Sequence, residues 1–258
     1  MARIAAFESR PRFFESRAFV STTAVLLFLI FWEIAPRLHW IDGTFTSEPS
    51  RVIAATLEIL RGGDLLRDVS ISLLEFTLGM IFAILIGVPI GLLLGTFQTL
   101  RYLLDPPVMA LYATPQLALL PIFVVWLGIG VGSKMAVVFV GGVIPIIVNS
   151  IAGVREVDRS LVLAARSFCA SQKDVFAKVI FPGSLPAVMI GIRLGISRGV
   201  LGVIVAEMYV SQSGIGNEIM KYGSAFRVDF LLVYVILVSV FGFTATTAVR
   251  ALEERLRA

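Results

Sequence analysis

The chain has 258 residues, of which 57% are hydrophobic and 16% charged, and it carries a net charge of +4. Soluble domains average roughly 45–50% apolar and about 25% charged residues, so a water-soluble globule of this composition is excluded by the apolar surface it would expose. The single cysteine, Cys169, excludes an intrachain disulfide, and one histidine with one cysteine argues against a dedicated soft-metal site.

About 20 consecutive, largely apolar residues cross a bilayer as a helix. The first such run extends from about Phe19 to Ala35 and is closed by Pro36. Arg3, Arg10, Arg12 and Arg17 precede it, as in a signal peptide, but Pro36-Arg37-Leu38-His39-Trp40 offers no small-residue cleavage pattern, which predicts an uncleaved anchor. His39, beside Trp40, reads as an interfacial residue. Residues 37–69 are polar and partly amphipathic, and Ile53, Leu57 and Leu60 predict a surface helix. Further apolar runs cover Ile71 to Phe97, Pro107 to Leu127, Met135 to Ala152, Leu185 to Val210 and Phe230 to Val249. The expectation is an all-α, polytopic membrane bundle of about six transmembrane helices. Residues 1–64 hold an N-terminal tail, the first span and an external amphipathic segment; residues 65–250 form the transmembrane domain; residues 251–258 form a second tail.

Within the second run Gly79, Gly87, Gly91 and Gly95 recur at multiples of four, the spacing of a close helix–helix contact. Pro89, Pro115, Pro121 and Pro145 are candidate kinks. An even number of spans puts both termini on one side. With the N-terminus inside, the inner Lys and Arg residues are 3, 10, 12, 17, 101, 155, 159, 166, 173, 178, 250, 255 and 257, against 37, 51, 61, 67, 134, 221 and 227 outside. This asymmetry predicts cytoplasmic termini, and it accounts for the basic balance without a nucleic-acid partner.

The loop at residues 157–186 is long for a membrane protein and strongly patterned. Asp158 can N-cap a helix that continues through Ala164, Ala165, Arg166, Ser167 and Phe168. The pattern breaks at Cys169-Ala170, and Ser171 stands three residues before Asp174, as a capping box does. The second helix is expected to end before Pro182, which lacks an amide donor. The result is a helix–turn–helix knuckle. A small face at Ala164 and Ala165 admits close approach, and Phe168 can anchor in a partner's pocket; the alternative is a surface loop folded onto the bundle.

The same segment resembles the EAA loop of ABC importer permeases, whose pattern is Glu-Ala-Ala, three residues, Gly, nine residues, then Ile-x-Leu-Pro. Here the corresponding residues are Leu163-Ala164-Ala165, Cys169 and Val179-Ile180-Phe181-Pro182, at the same spacing. Thr114-Pro115-Gln116-Leu117-Ala118-Leu119-Leu120-Pro121, Trp126-Leu127-Gly128-Ile129-Gly130, Pro145-Ile146-Ile147-Val148-Asn149 and Gly191-Ile192-Arg193 are similar to segments of the nitrate/sulfonate/taurine permeases. The chain departs from the pattern at Leu163, at Cys169 and at Glu75, where the family often carries arginine.

The resemblance implies a type I importer in a bacterial inner membrane. Two copies of the chain would pair around a central path, two cytoplasmic ATPases would bind the knuckles, and a periplasmic or lipid-anchored binding protein would deliver a small nutrient such as a sulfonate, taurine, nitrate or a pyrimidine-like compound. ATP and Mg would act in the ATPase, since this chain has no P-loop motif and no cofactor is expected in it.

Polar residues inside apolar runs are costly and default to functional candidates. Gln116, Asn149, Arg198 and Glu207 are the candidates for the path; for each, hydrogen bonding between helices is the competing reading. Arg193 is expected to snorkel to the interface. An ion-coupled carrier would need midplane carboxylates and paired broken helices, and Glu75 and Glu207 are the obvious carboxylates within spans. An intramembrane enzyme would need facing nucleophiles, histidines or carboxylate pairs, which the spans supply poorly.

Overall fold

A computed structural model describes residues 17–43 and 45–257. The basic N-terminal residues 3, 10 and 12 lie outside it. The described chain is helical: α1 (Arg17–Arg37), α2 (Pro49–Gly62), α3 (Leu65–Thr96), α4 (Gln98–Ala113), α5 (Leu120–Leu127), α6 (Val131–Glu156), α7 (Arg159–Ser167), α8 (Gln172–Val175), α9 (Phe181–Val210), α10 (Ile215–Ser224) and α11 (Val228–Arg257). A 3-10 turn, Gln116–Leu119, precedes α5, and a π turn, Phe176–Ile180, joins α8 to α9. Five of the described stretches are long and apolar enough to cross a membrane, and the bent α4–α5 pair supplies a sixth.

The core is a three-helix layer in which α6 packs along both α3 and α9. In the apolar stretch of α6, 72% of residues are buried, against 11% in α1, so α6 is central and α1 faces outward. Glycines make the close approach possible. A Cβ on Gly79 would lie 2.7 Å from the Val138 Cβ, and one on Gly95 would lie 2.6 Å from the Val154 Cβ. Gly87 and Gly91 meet Ile146 and Ser150 in the same register, so α3 and α6 run parallel with the glycine stripe as their contact line. Phe76, Met80, Ala83, Val138, Ile144, Ile146, Ile196 and Val200 fill the layer.

Because α3 and α6 are parallel neighbours, the chain between them must recross the bundle. It does so as the bent pair, with an angle of 92° between α4 and the following helix. The third apolar run is therefore two helices and not one continuous span. The break falls at Thr114 (ψ 133°) and Pro115 (ψ 101°), since proline drives the preceding residue out of helical backbone. Pro89 and Pro145 lie inside α3 and α6, which each continue as one helix.

One expectation gains detail and another changes. The amphipathic α2 buries Val52, Ala55 and Ile59 against α10 and α11, and leaves Ile53, Leu57 and Leu60 exposed. Both triplets form stripes at helical spacing, and the protein takes the stripe that includes the small Ala55. The helix after Ser171 also does not stop before Pro182. It passes through the π turn into α9, with the Phe181 amide bonded to the Phe176 carbonyl, five residues back. The widened turn immediately before Pro182 absorbs the lost donor. Residues 251–257 continue α11, and Arg193 pairs with Glu253 there.

Candidate functional site: a projecting knuckle, a cavity at the helix break and a buried polar cluster

The knuckle is built by the residues that mark it in the sequence. Asp158 accepts the Ser160 amide at 2.8 Å, and this bond holds its carboxyl below the usual aspartate range. Ser171 accepts the Asp174 amide at 3.1 Å. Between them the turn closes α7 with two backbone bonds, Cys169 N–H to the Arg166 carbonyl (2.9 Å) and Ala170 N–H to the Ala165 carbonyl (3.1 Å). This is a Schellman closure, which needs a left-handed residue. Cys169 occupies it at φ 56°, so the turn keeps the shape that glycine would give and bears the strain of a side chain there.

No residue of α7 is buried, and Val175 is the buried residue of α8. Phe168 is 87% exposed, and Leu161 and Leu163 are exposed beside it. Ala165 and Ala170 are half-buried, while Ala164, Arg166, Ser167, Cys169 and Ser171 are exposed. Pro182 is exposed at the start of α9. We call this the knuckle end of the bundle, and the opposite one the far end.

Gln116 and Arg198 are brought together. Both line a cavity of about 330 Å³ at the α4–α5 break, with Tyr112, Thr114, Val137 and Gly202. The Arg198 guanidinium lies over the Tyr112 ring, 4.9 Å from its centroid. A Cβ on Gly141 would sit 3.4 Å from the Gln116 Oε1 and 3.6 Å from the Arg198 carbonyl, so α6 presents bare backbone to this wall. Asn149 lies elsewhere on α6 and donates to the Pro145 carbonyl (2.8 Å).

Glu207 lies in a buried cluster at the far end. Its two oxygens accept from the Ser72 hydroxyl (2.6 Å) and the Gly216 amide (2.8 Å). Ser72 in turn accepts the Ile215 amide (2.9 Å), and Asp68 accepts the Gly214 amide (3.0 Å). Side chains of α3 and α9 thus take three successive amides at the start of α10, where negative charge is favoured. Next to them Lys134 lies 2.5 Å from Glu75, an ionic contact outside hydrogen-bond geometry, and donates to Ser211 (2.9 Å). Glu75 therefore acts as the counter-ion of Lys134. Lys134 read in the sequence as a loop charge, and nothing local to it signals this partner.

A bundle of membrane helices with a projecting helix pair at one end has the architecture of a transport permease. The family described as "binding-protein-dependent transport system inner membrane component" matches residues 87–258, and this chain belongs to it. The taurine transport system permease protein TauC of Escherichia coli K12 is 31% identical over 242 residues, covering 92% of this chain and 87% of TauC. The putative aliphatic sulfonates transport permease protein SsuC of Bacillus subtilis 168 is 30% identical over 225 residues, covering 87% of this chain and 82% of its own length. An inward-facing structure of the MetNI methionine ABC transporter shares the fold, with a TM-score of 0.65 at 20% identity over 74% of this chain and 95% of the matched chain. The protein is a multi-pass permease of an ABC importer, and the carrier reading falls away.

Proposed function

We propose that two copies of this chain form the path of a type I importer in a bacterial inner membrane, with both termini cytoplasmic. Each knuckle docks into a cytoplasmic ATPase subunit that binds ATP and Mg, and a binding protein on the far side delivers the cargo. The cargo is a small nutrient of the sulfonate, taurine, nitrate or pyrimidine-like kind, in keeping with what the relatives' names describe. Residues 65–250 are the transmembrane domain, residues 1–64 and 251–258 its flanking segments, and residues 157–186 the coupling loop.

The observation that carries the reading is the knuckle: two capped helices joined by a closed turn, standing off the bundle with Phe168 presented to the outside. Such a rigid lever transmits motion only if the ATPase binds it differently in its two nucleotide states. Asp158 and Ser171 hold the two helices; Ala164, Ala165, Arg166, Ser167, Phe168, Cys169 and Ala170 form the docking surface; Pro182 hands the motion to α9. Gln116 and Arg198 line the path in the present conformation. Asn149 and Glu207, the other candidates for the path, are tied here to Pro145 and to Ser72 and the Gly216 amide, which favours their competing role in helix packing.

The test is mass spectrometry of what co-purifies with the tagged chain after gentle extraction from its own membranes. A P-loop ATPase and an external binding protein are expected. Ala165→Asp should cut ATPase recovery about tenfold or more, because it buries a charge in the docking surface. Full ATPase recovery with that variant would overturn the docking assignment, and the absence of any ATPase from the wild-type preparation would overturn the importer assembly.

A further inference from the structure

Apart from Arg67 and Arg155 at helix ends, the core helices α3, α6 and α9 carry three basic side chains, Lys134, Arg193 and Arg198, and they are not equivalent. Lys134 faces Glu75, and Arg193 pairs with Glu253. Arg198 makes no ion pair among the described residues; its partner is the π face of Tyr112 at 4.9 Å. A cation in a membrane bundle ordinarily faces a carboxylate or the interface. A guanidinium over an aromatic ring is held, but its hydrogen-bonding fork is left unused.

The surroundings are those of a ligand site. The half-buried Arg198 lines the cavity of about 330 Å³ at the 92° break, which lies within the range of small-ligand pockets. Non-helical backbone at membrane depth is tolerated where it lines a cavity or packs in protein, and broken helices of this kind build substrate sites in other transport folds. Gln116 and Thr114 add polar side chains, and Val137, Leu201 and Gly202 supply an apolar wall. No acidic residue lines the cavity, so nothing in its lining repels an anion or competes for the guanidinium.

We propose that the cavity at the α4–α5 break is a transit site for small oxyanions, recognised by Arg198, with Tyr112 as the resting partner that the arginine leaves when an anion enters. The planar fork matches the paired oxygens of a sulfonate or carboxylate, and Gln116 can donate to a third. Tyr112 keeps the empty-site cation from being stranded in an apolar wall, and its hold is weak enough to give way to an oxyanion. This deepens the permease reading and rests on it.

The test needs no ATPase, so it can fail while ATP-driven import stands, and the reverse. Cys169→Gly removes the native thiol, and Ala113→Cys places a reporter on the cavity wall. The purified full chain, in discs of zwitterionic lipid, is alkylated with neutral iodoacetamide. Methanesulfonate and acetate should slow alkylation, while dimethyl sulfone, acetamide and sodium chloride at matched ionic strength should not. Arg198→Gln should weaken the protection about tenfold, the worth of one charge-assisted hydrogen bond, and Arg198→Lys should keep part of it. Tyr112→Leu should shift protection to lower anion concentration. Equal protection by the neutral sulfone, or protection unchanged in Arg198→Gln, would overturn the proposal. Slow alkylation in anionic-lipid discs without added oxyanion would overturn it too, by assigning the arginine to lipid headgroups.

Discussion

At the far end of the bundle, Asp68, Ser72 and Glu207 meet three successive amides at the start of α10, and Lys134 faces Glu75, all of them buried. At the knuckle end, the Asp158 and Ser171 side chains bond within three residues of themselves, Asp158 to the Ser160 amide and Ser171 to the amide and carboxylate of Asp174, and Leu161, Leu163 and Phe168 stand exposed. The far end is finished by its own tertiary structure: four helices supply the partners, and removing one leaves a buried group unmatched. The knuckle is finished only locally. Its helices are shaped in advance, and its apolar surface is left for another molecule. A part that must hold the bundle together is cross-linked, and a part that must be gripped is capped and left open.

The sharpest way to break this contrast is Lys134→Met. It strands the Glu75 carboxylate inside the protein and should cost about 3–5 kcal/mol, read as a large drop in the thermal midpoint of the extracted chain. Adding Glu75→Gln should recover most of the loss, because the penalty lies in the unpaired charge; a double variant no better than the single would refute the pairing. Next comes Gly216→Ala, since a Cβ there would overlap the Ile204 carbonyl oxygen and press on the Glu207 Cβ. Backbone would have to move, at a cost of about 1–3 kcal/mol. Unchanged melting would mean that α10 is not clamped against α9.

The smallest effect is expected at the knuckle. Cys169→Gly relieves the left-handed strain but enlarges the freedom of the unfolded chain, leaving a gain below about 1 kcal/mol. Slower proteolysis of the α7–α8 turn, with the same global melting temperature, would confirm that the knuckle is an independent local unit. A shift of the global transition as large as that of Lys134→Met would erase the distinction between the two ends.

Elements whose causes are local are legible in the order of the residues. The preference for lipid over water is decided residue by residue, so the apolar runs were visible as spans. The caps at Asp158 and Ser171 and the turn at Cys169 could be read because each involves neighbours within a few positions. The glycine stripe of α3 announced a close contact, although not that α6 would make it. Pro115 marked a candidate kink, but its extent, a 92° turn, depended on the parallel placement of α3 and α6 and the need to recross between them. Tertiary structure alone decided the partners of the buried charges. Ser72 and Glu207 are 135 positions apart, and Lys134 and Ser211 are 77 apart. No periodicity relates such pairs; they meet because α3, α6 and α9 pack in one layer, and a buried charge is stable only where that packing happens to supply its counterpart. The same holds for Arg198 and Tyr112, which become neighbours only once α4 has bent away from its own continuation.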